Sequence, residues 1–306
     1  MICRILILGV IFLGSNFRVS ATESDRLLLD DLQDASRLAG DTPAEWKIKQ
    51  IRRAGYQKLI GLVGQREQPV SRKDAEKLLK ELREDIRRGL AWGQKNESHP
   101  LPYAPEPPII DGTTDQLWEH ALIFRGEYRI DEKKPCSSSG TWRFLYDSQK
   151  LYFLFEIQDS EIIAGAPVYE FDGVELFIMP DSRLYTYVEL VFPAGEENSY
   201  TRWCRISERE GISVQEVTLE TLNWKSRTTD NGYIVEGSIG FKDLPGYLLG
   251  NPPQAGHMLH LMPVRVERSR SGMEKRTPVP FLYDGHNVYG YLILTLTSAG
   301  TNPSRI

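Results

Sequence analysis

The chain has 306 residues, 41% of them apolar and 26% charged, with a formal net charge of −5. That length allows one or two domains with a sizeable core, and the composition is ordinary for a globular protein. The charge argues against a nucleic-acid partner, because no basic excess is available to displace counterions from phosphates.

The first residues predict a cleaved signal peptide over 1–21. Arg4 supplies a positive start, residues 5–13 form an apolar run too short to span a membrane, and Val19-Ser20-Ala21 offers a small-x-small cleavage site after Ala21. The alternatives are an N-terminal core strand or a retained anchor. Cys3 precedes the apolar run, so it is badly placed for lipidation. Export implies a secreted or periplasmic protein, with no membrane span left in the mature chain. Cys136 and Cys204 then remain, either bridged in an oxidising compartment or as two unlinked thiols.

Residues 22–96 carry a helical pattern. Leu28, Leu32, Ala35 and Leu38 recur at helical spacing before Gly40, and Asp41-Thr42-Pro43 is a helix start. Ser71 and Asp74 resemble a capping box, and Leu78, Leu79, Leu82, Ile86 and Leu90 form an apolar stripe. Such a stripe either packs within the chain or docks a partner.

Five prolines (Pro100, Pro102, Pro105, Pro107 and Pro108) mark residues 97–108 as an extended linker, since proline locks φ and removes a backbone donor. Beyond it the periodicity becomes two. Leu151, Phe153, Phe155 and Ile157 alternate with Tyr152, Leu154 and Glu156, and Val174, Leu176 and Ile178 alternate with Glu175, Phe177 and Met179. Further strands are predicted over 141–147, 185–192, 200–206, 212–219, 233–239, 258–267 and 289–296. Turn signals such as Ala194-Gly195 and Asp230-Asn231-Gly232 separate them. Many short strands with little helix predict a mainly β fold, an antiparallel β-sandwich over 109–297, with 298–306 as a tail.

The order of motifs in this region resembles the family 9 carbohydrate-binding modules. It opens with Pro107-Pro108-Ile109-Ile110-Asp111-Gly112, then Asp115 and Trp118. Leu145-Tyr146-Asp147 and Leu151-Tyr152-Phe153 follow, and then Asp172-Gly173-Val174-Glu175-Leu176-Phe177. Asn231-Gly232-Tyr233 leads into Ile239, Phe241 and Leu244, and Tyr289-Gly290-Tyr291-Leu292 closes the series. The resemblance covers about 105–297 and leaves out the helical segment. A pattern around Gly256, Leu259 and Arg265 is only partly kept, with Met262 where the family has asparagine.

The resemblance implies non-catalytic binding of mono- or oligosaccharides, in the service of a polysaccharide-degrading enzyme. It implies a clamp of two aromatic rings at Tyr169 and Tyr283, with Glu175 bonding the ligand and Glu189 facing the same site. Aromatic faces bury the C–H surface of a pyranose, and ionised side chains bond its hydroxyls strongly. A hairpin turning at Ser182 would set Glu175 directly opposite Glu189. Arg265 between them, or a structural Ca²⁺ ion, would relieve their repulsion. Two rival readings remain: haem ligation through His257, His260 or His286 with Met258 or Met262, and a glycosidase using Asp172, Glu175 or Glu189 as paired carboxylates.

Overall fold

The computed structural model describes residues 98–129, 140–180, 186–195, 199–207, 211–244, 253–278, 286 and 291–298. The expected signal peptide, the helical segment and the tail beyond 298 lie outside the described residues. So do Cys136 and Tyr283.

The described chain is mainly β. Its strands are β1 (His99–Leu101), β2 (Leu122–Arg125), β3 (Tyr128–Arg129), β4 (Gly140–Tyr146), β5 (Lys150–Gln158), β6 (Gly173–Met179) and β7 (Thr186–Pro193). They continue with β8 (Tyr200–Ser207), β9 (Gly211–Glu216), β10 (Asn223–Thr229), β11 (Gly232–Gly240), β12 (Met258–Ser269), β13 (Gly272–Thr277) and β14 (Leu292–Leu296). Two sheets result. One runs β1-β14-β12-β6-β7-β8-β9, with β13 and β3 branching from β12, and the other runs β10-β11-β5-β4-β2. Pairing is antiparallel except between β1 and β14.

The strand β1 lies inside the stretch read as a linker. Pro100 is tolerated because β1 is an edge strand, where a missing N–H breaks no ladder. Leu101 is fully buried, which anchors the entry of the chain to the sheet.

The sheets face each other through aromatic rings. Phe153 of β5 lies 5.2 Å from Phe192 of β7, and Phe192 lies 5.1 Å from Trp224 of β10, centroid to centroid. The Tyr233 hydroxyl crosses the same interior to donate to the Gly173 carbonyl, 3.1 Å away. Gly237 makes room for this packing, since a Cβ there would meet the Phe153 ring at 2.4 Å. At the β10–β11 hairpin, Gly232 takes a φ of 151°, and a Cβ would meet the Ile157 carbonyl at 2.0 Å. The Asp-Asn-Gly turn signal therefore has a steric cause.

The outer face of the five-stranded sheet is covered by the segment that follows β1. Ala104 and Trp118 pack on Leu145, Tyr152 and Leu154, with Ile110, Leu117, Ala121 and Ile234 around them. Glu236 of β11 fastens this cover. It accepts the Asp111 and Gly112 N–H groups at 2.9 and 2.8 Å and the Trp118 indole N–H at 2.9 Å. The opening Ile-Asp-Gly and Trp motif is thus structural. We expect Glu236→Ala to lower the unfolding free energy by about 3 kcal/mol, because three donors to a charged acceptor lose it at once. Urea denaturation reads this, and a loss near zero would show that water replaces the carboxylate without penalty.

Candidate functional site

Register decides which side chains meet on the other face of the nine-stranded sheet. Glu175 pairs with Val191 and Phe177 with Glu189. On the next strand Val191 pairs with Tyr200, Glu189 with Arg202 and Tyr187 with Cys204. Directly paired residues project from the same face. Glu175, Phe177, Tyr187, Glu189, Tyr200, Arg202 and Cys204 therefore form one patch. Lys275 of β13 joins it, because its partner Val266 pairs in turn with Gly173.

Two acid–base pairs organise this patch. Lys275 Nζ lies 2.9 and 2.8 Å from the two oxygens of Glu175. Arg202 grips Glu189 with two donors: Nη2 to Oε1 at 2.8 Å, and Nε to Oε2. The carboxylates lie inside and the cations nearer solvent: Glu175 and Glu189 are each 1% exposed, whereas the Lys275 and Arg202 side chains keep 28% and 20%. Burial pushes the Glu175 carboxyl above its ordinary range, against the opposing pull of Lys275. Desolvation works against the charge of Arg202, yet its hydrogen bonds to Glu189 and the charge of that carboxylate hold the guanidinium above its usual value.

The floor beneath Glu189 is aromatic. The Phe177 ring stands edge-on to His286 at 5.4 Å and lies 6.1 Å from Tyr187. His286 Nδ1 shares a hydrogen bond with the Tyr187 hydroxyl at 2.7 Å, and its Nε2 lies 3.4 Å from Arg202 Nη2. Cys204 is a free, buried thiol. It points at Glu189 Oε2, 3.6 Å away, and burial first, then the glutamate charge, pushes it up to about 12.

Tyr169 stands at the rim, in a short 3₁₀ turn over Val168–Glu170, and is 38% exposed. Its ring lies 6.0 Å from that of Tyr200, and the Arg202 guanidinium lies 5.6 Å from the Tyr200 centroid. A run of planar groups thus leads from the exposed Tyr169 to the buried Glu189. Tyr283, the expected second ring of the clamp, lies outside the described residues.

Two geometric expectations need correction. Glu175 and Glu189 are not directly opposite each other; they share a face but sit two ladder positions apart, because the hairpin register is shifted by two residues from a turn centred on Ser182. Arg265 is not between them. It pairs with Val174, so its side chain leaves the opposite face. There it is 1% exposed and bonds Glu127 at 3.3 Å, Asp159 at 3.2 Å and Glu267 at 3.0 Å. Lys275 and Arg202 do the balancing assigned to Arg265, and they hold the same oxygens that a Ca²⁺ ion would need.

The residues of the rival readings have identifiable surroundings. Asp172 accepts the Ile163 and Arg268 N–H groups at 2.5 Å each. Met262 is buried, its sulfur 3.1 Å from the Thr277 hydroxyl, and His260 Nδ1 lies 3.3 Å from the Met179 carbonyl. Glu189, Cys204 and His286 place their ligand atoms within 4.8 Å of one another, a donor set of the borderline-soft type that suits zinc. Arg202 holds the carboxylate of that set.

Sequence reasoning did not reach Tyr200, Arg202 or Lys275. Their signal is pairing register, which no local motif carries.

Fold and patch define a β-rich protein with an aromatic, charge-paired sheet face. The family model described as carbohydrate family 9 binding domain-like matches residues 110–294, and the chain belongs to that family. Similar solved structures include a family 9 carbohydrate-binding module from Caldicellulosiruptor kristjanssonii. In complex with cellotriose it is 16% identical, with a TM-score of 0.48, over 67% of this chain and 96% of that one. The complex with glucose gives 17% identity and a TM-score of 0.48, over 68% and 100%. A candidate carbohydrate-binding protein from Bacteroides uniformis ATCC 8492 is 9% identical, with a TM-score of 0.50, over 66% and 98%. No curated protein matches the chain.

Among the described residues no helix is long and apolar enough to cross a membrane.

Proposed function

We propose that the chain is a non-catalytic saccharide-binding protein whose two sheets form a sandwich. Its ligand lies over the face that carries Tyr169, Tyr200, Arg202, Glu189, Glu175 and Lys275. The observation that carries this reading is the pair of ionised couples on one sheet face, beside an exposed tyrosine ring. Family membership supports the class of ligand.

The chemistry follows from the two kinds of surface. A pyranose offers polarised C–H bonds on its faces and hydroxyls at its rim. Tyr169 and Tyr200 present rings to the first, where the negative face of the ring attracts those hydrogens. The second meets charged donors and acceptors whose hydrogen bonds exceed neutral ones in strength. Because each cation is already held by a carboxylate, little side-chain freedom is lost when a hydroxyl docks. In this reading Tyr283 supplies the second ring of the clamp. The protein is exported, as the pattern of residues 1–21 supports, and serves polysaccharide breakdown alongside a separate enzyme.

Titration calorimetry with monosaccharides and short oligosaccharides tests the proposal. Saturable heat is expected, and Tyr169→Ala should weaken binding roughly tenfold, the worth of one aromatic contact. Tyr169 is exposed, so the variant should fold as the parent does. Binding unchanged by the substitution would remove this ring from the site, and silence across the sugars would overturn the reading.

A further inference from the structure

A groove of about 500 Å³ opens beside Tyr200, where the free edges of the two sheets approach each other. Its lining includes Tyr200, Trp224, Ser199, Thr218, Glu216 and Leu222. The volume falls within the roughly 300–1,000 Å³ of small-molecule sites. Strand β9 ends at Glu216, level with Arg202, so it does not reach past Tyr200 on the edge of the sheet. The chain then crosses toward β10, held to β8 by the Val217 N–H on the Thr201 carbonyl at 3.3 Å. That crossing forms one wall, and Trp224 of the other sheet forms the far end.

Tyr200 belongs both to this groove and to the patch described above. It lies 6.0 Å from the Tyr169 ring on one side and lines the groove on the other. The Tyr200 side chain leaves the patch face and Trp224 packs from the interior side against Phe192, so the groove turns the sheet edge. Its lining of two aromatic residues, three aliphatic hydroxyls and one carboxylate suits the C–H faces and hydroxyl rims of successive sugar rings. Glu216 is exposed and its carboxylate disfavours an acidic chain.

We propose that the groove is an extension subsite, and that the ligand is a neutral oligosaccharide running from Tyr169 past Tyr200 to Trp224. This rests on the saccharide reading of the patch and adds its length requirement. A single sugar fills only the patch, whereas a chain of three or four units also occupies the groove.

The test is calorimetry on the full chain with β-1,4-linked gluco-, xylo- and galacto-oligosaccharides of one to four units. Affinity should rise at least tenfold between the monosaccharide and the tetrasaccharide of the series that binds. Trp224→Ala should erase that increment and leave the monosaccharide affinity in place. Because Trp224 also packs on Phe192, a second variant avoids the core: Thr218→Trp fills the groove from an exposed position and should erase the same increment. Equal affinity for one unit and four overturns the extension subsite and leaves the patch intact. An increment that survives both variants places the extra units elsewhere and overturns it too. Absence of binding at every length overturns both readings.

Discussion

Arg265→Leu is expected to cost about 3–5 kcal/mol of folding stability, the loss typical when one member of a buried charge cluster is removed. Arg265 and Glu127 are almost fully buried, at 1% and 0% side-chain exposure. Their attraction need not exceed the cost of taking both charges out of water, yet either one alone is far worse. The value should fall toward the lower end, because Arg276 remains 3.9 Å from Glu127 and 2.7 Å from Glu267.

The pH dependence of this loss has a definite sign. Burial already raises the Glu127 carboxyl above its usual range, with Arg265 and then Arg276 opposing. Without Arg265 the carboxyl rises further. A group whose pKa is higher in the folded state binds its proton there first, so its contribution favours folding at low pH and is lost as pH rises through the folded value. The deficit of Arg265→Leu should therefore shrink as pH falls from neutral through the folded-state titration of Glu127. Urea denaturation at several pH values reads this. A loss under 1 kcal/mol, or one that grows on acidification, would contradict the account of the buried cluster.

Arg202→Met should have the largest effect on binding. The guanidinium holds a buried carboxylate, so the single variant should lose stability as well as affinity. The double variant Glu189→Met with Arg202→Met separates the two effects. Replacing both members of a buried pair with apolar side chains of similar volume is often neutral for stability. Saccharide binding should nevertheless fall about 100-fold, since one or two charge-assisted hydrogen bonds of about 1.5–3 kcal/mol disappear. Thermal denaturation and calorimetry on both variants check this. A double variant that folds like the parent and binds sugar equally well would falsify the role of this pair.

The sequence showed the strands that carry long apolar runs, which are buried along most of their length. Residues 151–157 and 174–179 lie within β5 and β6. The strands that escaped notice lack the cue. Strand β10 has the sequence NWKSRTT and is mostly exposed, and β13 has GMEKRT and buries only its last two residues. Strand β1 is three residues long and contains Pro100, which reads as a break although an edge strand accepts it.

The site divided along the same line. Motif order singled out Tyr169, Glu175 and Glu189 as candidates, and the two glutamates do share a face. A slip of two residues preserves the side of the sheet, whereas a slip of one would have reversed it. Arg265 was misplaced because residues 259–266 of β12 are buried on both faces. A strand covered on both sides shows no alternation to read. Lys275 and Arg202 were invisible for a different reason. Lys275 reaches its glutamate across β12 and Arg202 from the adjacent β8, 100 and 13 residues away in the chain, and only the assembled register brings them together.

The most direct test is an NMR titration of the isotopically labelled protein with the saccharide that calorimetry shows to bind. Shifts should concentrate at Glu175, Glu189, Tyr200, Arg202 and Lys275, and at the Tyr169 ring. Shifts confined instead to Trp118, Tyr152 and Glu236, beneath the cover of the five-stranded sheet, would place the ligand on the wrong side of the molecule and contradict the assignment.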